Sequence, residues 1–302
     1  MVDRTRFVGG AFQSLCILAC VLIVLMLAVI LGDIVIHGLG TVTFSFLTRA
    51  PETGMTGGGI FPAIFGTFAL VVLMTIAVIP LGVATAIYMH EYAPKRSRLV
   101  QAVRLAIQNL AGVPAIVFGL FGLGFFIEFI GRGMDRVFYG GELVYGQPAI
   151  VWAALTMALL TMPTVVVATE EALRAIPQGY REVAYSLGAT RWQMIRRVVL
   201  PQAVGGILTG GILAVSRGSG EVAPVMFTGA AYFLPELPAR LNSQFMELGY
   251  HVYVMTTQSP DVEATKPILY ATVLVLLGLT FLLNFSAIMI RAQIRKRLRH
   301  GR

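Results

Sequence analysis

Long apolar runs alternate with short polar segments along the whole chain. Six runs are long enough to cross about 30 Å of hydrocarbon as helices: residues 14–36, 63–89, 105–130, 149–169, 204–228 and 267–290. The pattern predicts an all-α integral membrane protein with six transmembrane helices. The polar segments divide into two kinds. Those after the first, third and fifth runs are rich in Gly and Pro, as in TGMTGGGIFP and GRGMDRVFYGGELVYGQP. Those after the second and fourth runs are charged. The longest charged segment is 170–201, EEALRAIPQGYREVAYSLGATRWQMIRRVVLP, which is poorly suited to lie in lipid.

The local signals in that segment predict two short helices. Pro177 has the fixed φ of a first helical turn. A helix is expected over 178–187, with Val183 and Leu187 four residues apart on one side. Gly188 can end it in the left-handed conformation. Thr190 and Gln193 fit a capping box that opens a second helix, expected to run to about residue 199. Pro201 marks the return to the membrane, and Arg191, Arg196 and Arg197 are expected at the lipid headgroups.

Composition agrees with a membrane protein and charge orients it. The chain is 57% apolar and only 13% charged, with a mean hydropathy of +0.79. Soluble domains are about a quarter charged. On the side of the N-terminus the arm, the loops and the tail carry 17 Lys and Arg, against five on the other side. Basic residues concentrate in cytoplasmic loops, so both termini are expected in the cytoplasm. The net charge of +8 needs no nucleic acid to explain it, and no basic patch is interleaved with exposed aromatics. Cys16 and Cys20 lie in the first run and make no zinc site. That run is too long for a signal-peptide core and has no A-x-A site, so it reads as a retained helix.

The fifth run contains Arg217 and Glu221, two charges in an otherwise apolar span. A charge at mid-bilayer costs about 2.5–3.5 kcal/mol and marks a functional site by default. Spacing of four lets the two pair on one helix face. Gly218 and Gly220 weaken the helix around them, leaving backbone N–H groups to meet an anion. A guanidinium also matches an oxyanion in two-pronged geometry. A structural ion pair that braces helices is the other reading. Asn109 could hydrogen-bond a substrate or a neighbouring helix. The His90-Glu91 pair is not the H-E-x-x-H of a metal site.

The charged loop resembles the EAA loop of ABC importer permeases. Glu182-Val183-Ala184, Gly188 and Val198-Val199-Leu200-Pro201 keep that motif's spacing, with Val183 in place of its first alanine. The resemblance implies a type I ABC importer permease fold. It also implies that the first short helix docks on a separate ATPase, with Pro177, Glu182, Ala184, Leu187 and Gly188 in the coupling surface. The chain has only Lys95, Lys266 and Lys296, and no Gly precedes any of them. A P-loop is therefore absent, and ATP and Mg belong to the ATPase while this chain binds no cofactor of its own.

A narrower similarity is to phosphate-specific transport permeases of the PstA type. It is carried by NLAGVPAIVFGLFGLGFF, by RAIPQGYREVAYSLGATRWQ, and by Arg217-x-x-Gly220-Glu221-x-x-Pro224. That family usually reads ARAIGE where this chain reads SRGSGE. The similarity implies that Arg217, Gly220 and Glu221 line a phosphate pathway. It implies as partners a second, related permease, two ATPase subunits and an extracytoplasmic phosphate-binding protein, within the lipid of the cell membrane. The expected organisation is an N-terminal helix and outer loop (1–62), a permease core (63–291) containing the coupling loop (170–201), and a basic tail (292–302). Two other readings fit the charge pair: a permease for another oxyanion such as sulfate or molybdate, and a membrane enzyme acting on lipid phosphates. The enzyme reading lacks a nearby nucleophile and leaves the charged loop without a role.

The charge asymmetry yields a direct test. Single cysteines at Ser97 and Ser243 should label from opposite faces of a sealed membrane, Ser97 from the cytoplasmic one. Labelling of both from one face would overturn the six-span topology.

Overall fold

A computed structural model of the chain describes residues 2–52, 57–94, 96–259 and 261–300. It is helical throughout, and six helices among the described residues are long and apolar enough to cross a membrane. α1 (Val2–Gly38) is the first crossing, followed by the short α2 (Phe44–Thr48). α3 (Phe61–Ile87) returns and ends in a π-helical turn, Tyr88–Tyr92. α4 (Arg98–Leu110) lies between crossings. α5 (Ala115–Phe121), a π-helical stretch Gly122–Gly131 and α6 (Arg132–Phe138) form the third. α7 (Ile150–Arg174) is the fourth. α8 (Gln178–Ser186) precedes α9 (Arg191–Met194), which continues through a π-helical turn into α10 (Leu200–Gly218). α11 (Ala223–Thr228), α12 (Leu248–Thr257) and α13 (Val262–His300) complete the chain.

The third and fifth crossings differ from the sequence expectation. The run at 105–130 is two helices, broken after Ala111 by Gly112-Val113-Pro114. Pro114 has no N–H to donate and disfavours helical geometry at the residue before it. Continuous apolarity hid the break, and the true crossing is Ala115–Phe138. α4 is instead an amphipathic helix with no buried residue, N-capped by Ser97. The fifth crossing starts earlier, at Arg191, and its helix stops at Gly218 rather than running on to 228. Pro201 does not interrupt it: the Leu200 N–H reaches back to Ile195 O in a wider turn just before the proline, the kind of local adjustment by which spans accommodate proline. The last helix also runs beyond its apolar stretch, so the basic residues over 292–300 extend α13.

α7 is the centre of the bundle: 67% of its most apolar window is buried, against none of that in α1 or α13. It packs on α3 and α10. Small residues at every fourth position of α10 make this possible. Gly206 meets Ala172, and Gly210 meets Ala168 and Val165. Side chains at those glycines would collide with α7, so close approach is the reason for them. Gly218 rests on Met74, the middle residue of α3. The end of α10 therefore lies about half-way across the bundle.

α12 sits at the opposite end from α8 and holds two buried titratable groups. Glu247 caps it, accepting from the N–H groups of Gly249 at 2.8 Å and Tyr250 at 2.6 Å. Thr67 of α3 lies 3.4 Å from the same carboxylate. Burial pushes the Glu247 carboxyl from 4.5 up to about 6. Burial holds His251 from 6.5 down to about 4, and its Nδ1 has no partner among the described residues.

These shifts oppose each other in acid. The folded state holds the Glu247 proton more tightly than the unfolded chain, so its contribution is full below about pH 4.5 and lost as pH rises towards 6. His251 resists protonation, so its contribution is full above about pH 6.5 and lost as pH falls towards 4. The histidine window is wider, and acidification from pH 6.5 to 4 should lower stability through the pair. Glu247→Gln removes the opposing group and should steepen that loss by about 2 kcal/mol. Thermal unfolding of both proteins between pH 7 and 4 measures the difference; parallel profiles would rule out the raised carboxyl.

Candidate functional site

Two places concentrate the chemistry: the joint at α8 and α9, and the end of α10. In the first, Pro177 precedes α8 and Leu187 follows it. Gly188 adopts φ of 77°. Its N–H donates to Tyr185 O at 2.9 Å, and that of Ala189 donates to Ala184 O at 3.0 Å. This is the Schellman pattern of a glycine-terminated helix. A β-carbon at Gly188 would meet nothing within 4 Å, so the glycine serves the backbone and not packing. Thr190 and Gln193 then form a reciprocal capping box for α9.

α8 has a buried side and an open side. Ala184 packs with Leu173, Ile176, Met194, Ile195 and Val199. Tyr180, Val183 and Leu187 are exposed, Leu187 by 83%. With Pro177, Ala184 and Val198 they line an apolar groove of about 440 Å³. Glu182 projects elsewhere, onto a polar cavity on the other side of the helix.

Arg181 fixes α8 to the bundle. Its Nη2 donates to Glu91 Oε1 at 2.7 Å and its Nε to the same oxygen at 3.2 Å. Nη1 donates to Ile176 O at 2.9 Å, and Nη2 also to Leu173 O at 3.0 Å. One guanidinium thus joins the end of α3 to α8 and covers the last carbonyls of α7. Both partners are buried. Arg191 donates to Glu91 O and stacks over Tyr92, so it holds the same turn. The sequence drew notice to Glu91 only as a neighbour of His90, and to Arg181 only as one of the basic residues of the charged loop. Their only mark as a pair is a charge on each side of the same membrane face, 90 residues apart.

At the second place Arg217 occupies the last turn of α10 and Glu221 lies beyond it. Arg217 Nε and Glu221 Oε1 are 3.7 Å apart, with side chains 35% and 27% exposed. The pair survives the break because Gly218, Ser219 and Gly220 turn the chain tightly. Ser219 N–H donates to Val215 O at 3.0 Å and Gly220 N–H to Arg217 O at 3.4 Å; these two amides are used within the turn. No β-carbon contact within 4 Å would restrict Gly220. Asn109 is not part of this cluster. It lies exposed in the last turn of α4, outside the third crossing.

The described chain thus has six helices able to cross a membrane, a helical joint outside them and a charge pair half-way along the bundle. Residues 78–300 match the binding-protein-dependent transport system inner membrane component. The chain belongs to this family. It is a permease subunit of an ABC importer, a multi-pass membrane protein and a transport component rather than an enzyme. The probable ABC transporter permease protein YqgI of Bacillus subtilis is 31% identical over 261 residues, covering 82% of this chain and 83% of that one. The phosphate transport system permease protein PstA of Yersinia pestis is 36% identical over 194 residues, 64% of this chain and 59% of that one. Among solved structures, a bacterial ABC transporter involved in the import of the acidic polysaccharide alginate superposes with a TM-score of 0.66 at 15% identity, covering 96% of this chain and 99% of that one. The permease fold implied by the charged loop is thus the fold observed.

The Arg181–Glu91 pair can be tested on stability. Arg181→Met leaves a buried carboxylate without its cation and should cost about 3–5 kcal/mol. Adding Glu91→Leu should recover most of that. Thermal unfolding of the purified permease gives both numbers, and a double variant no more stable than the single one would disprove the clamp.

Proposed function

We propose that this permease carries inorganic phosphate into the cell, with Arg217 meeting the anion and Glu221 holding Arg217 between passages. The observation that carries the reading is the position of the pair. It lies at a helix end half-way across the bundle, partly open, with only a 3.7 Å contact closing it. An incoming phosphate offers Arg217 a better match than Glu221 does, because its oxygens fit the planar fork at short range. Glu221 then competes to recover Arg217, which releases the anion. The likeness to phosphate permeases supports phosphate over other oxyanions.

The driving force comes from outside the chain. α8 presents Tyr180, Val183 and Leu187 as an apolar face to a separate ATPase that binds ATP and Mg. Pro177 and Gly188 set its two ends, and Glu182 flanks it. Motion of α8 passes to α3 through Arg181 and Glu91, and to α10 through the continuous helix from Arg191. A second, related permease completes the pathway, two ATPase subunits power it, and an external binding protein delivers phosphate. The face with α8 and both termini is cytoplasmic, in keeping with its basic residues.

Uptake of labelled phosphate by the assembled transporter is the test. Arg217→Gln with Glu221→Gln removes both charges with little change of volume, so folding and assembly should persist. Uptake should fall at least 100-fold at matched membrane levels. Arg217→Lys keeps the charge without the fork and should retain a fraction of the wild-type rate. Wild-type uptake by the double variant would show that the pair only braces helices. Inhibition by sulfate as strong as by unlabelled phosphate would move the substrate to another oxyanion.

A further inference from the structure

A second polar site lies on the face that carries α8, well away from Arg217. It is a cavity of about 450 Å³ between the end of α3, α4, the end of α7 and α8. Arg104, Arg174, Arg181 and Arg191 line it, against the carboxylates of Glu91 and Glu182. Arg181 and Arg191 are occupied by Glu91. Arg104 is held through Nη2 by Glu170 at 2.9 Å, and its buried Nε has no partner among the described residues. Arg174 makes no hydrogen bond or ion pair among the described residues. His90 and Gln101 add neutral polar groups to the wall. Arg174 therefore offers unspent guanidinium donors to the cavity from the end of α7, with Arg104 of α4 adding a second positive charge to its wall.

The geometry points to a binding site for a phosphoryl group, either the headgroup of an anionic phospholipid or free phosphate. The chemistry is the same for both: charge-assisted donors from planar guanidinium groups. Basic pockets between helices on this face of a membrane suit phosphoryl headgroups. The setting brings such groups near, because α4 carries exposed Leu99 and Val103 four residues apart on its apolar side and so lies at the hydrocarbon boundary. A ligand here would tie α4 and the end of α7 to the α8–α9 joint. This site is independent of which anion the importer carries.

The test uses the full chain in nanodiscs and follows its thermal unfolding midpoint. One arm titrates inorganic phosphate into phosphatidylcholine discs, with sodium chloride at equal ionic strength as the reference. The other raises the fraction of phosphatidylglycerol without added phosphate. At least one arm should give a saturable stabilisation that chloride does not reproduce, and which arm responds identifies the source. All proteins compared carry Arg217→Gln, which silences the charge pair of α10. In that background Arg174→Gln should weaken the stabilisation at least tenfold and Arg174→Lys less. Equal responses with and without Arg174→Gln in both arms would overturn the proposal. So would a response that chloride matches.

Discussion

Hydrocarbon offers backbone amides no hydrogen bonds, so a helix can end inside a membrane only where protein surrounds the end. That constraint governs this bundle. α10 stops at Gly218, half-way across, and its last amides turn back on Val215 and Arg217. The stop is tolerable because α3 and α7 enclose it. They can do so because Gly206, Gly210 and Gly218 let α10 settle against them. A bulkier α10 would stand away from α7 and expose the break. The charge pair at the break thus depends on small residues that carry no chemistry themselves.

The opposite face follows a complementary rule. Under the proposed function α8 transmits force, and a loop that does so has to be held firmly on one side and left open on the other. Arg181 provides the hold, spending its donors on Glu91 and on the last carbonyls of α7. Tyr180, Val183 and Leu187 form the open side. The Schellman turn at Gly188 and the capping box at Thr190 keep the two short helices at a fixed angle. α8 is thereby connected to two crossings: to α3 through the ion pair, and to α10 through the chain itself.

Reading the sequence located α8 and the start of the second helix almost to the residue, because caps and glycine act over a few neighbours; it ended that second helix near residue 199, where the chain instead runs on into α10. It misjudged the third crossing, because Leu105 to Ile130 stays apolar through the Gly112–Pro114 break and hydropathy does not register a change of direction. Asn109 was placed in that crossing for the same reason and lies outside it. Arg217 and Glu221 were legible as a pair, since a four-residue spacing survives the turn between them. The buried acid at Glu247 left no sign, because the groups that surround it come from α3 and α12.

The amino-acid sequence by itself determined the number of crossings, the two-helix loop with its glycine joint, and the presence of a charge pair in the fifth apolar run. Each of these rests on hydrophobic length or on bonds among residues a few positions apart. Only the tertiary structure decided that the fifth helix ends in mid-bundle, that Glu91 clamps Arg181, and that Arg104 and Arg174 face one cavity. Those facts join residues tens of positions apart, and what joins them is close packing of helices, which no local pattern encodes.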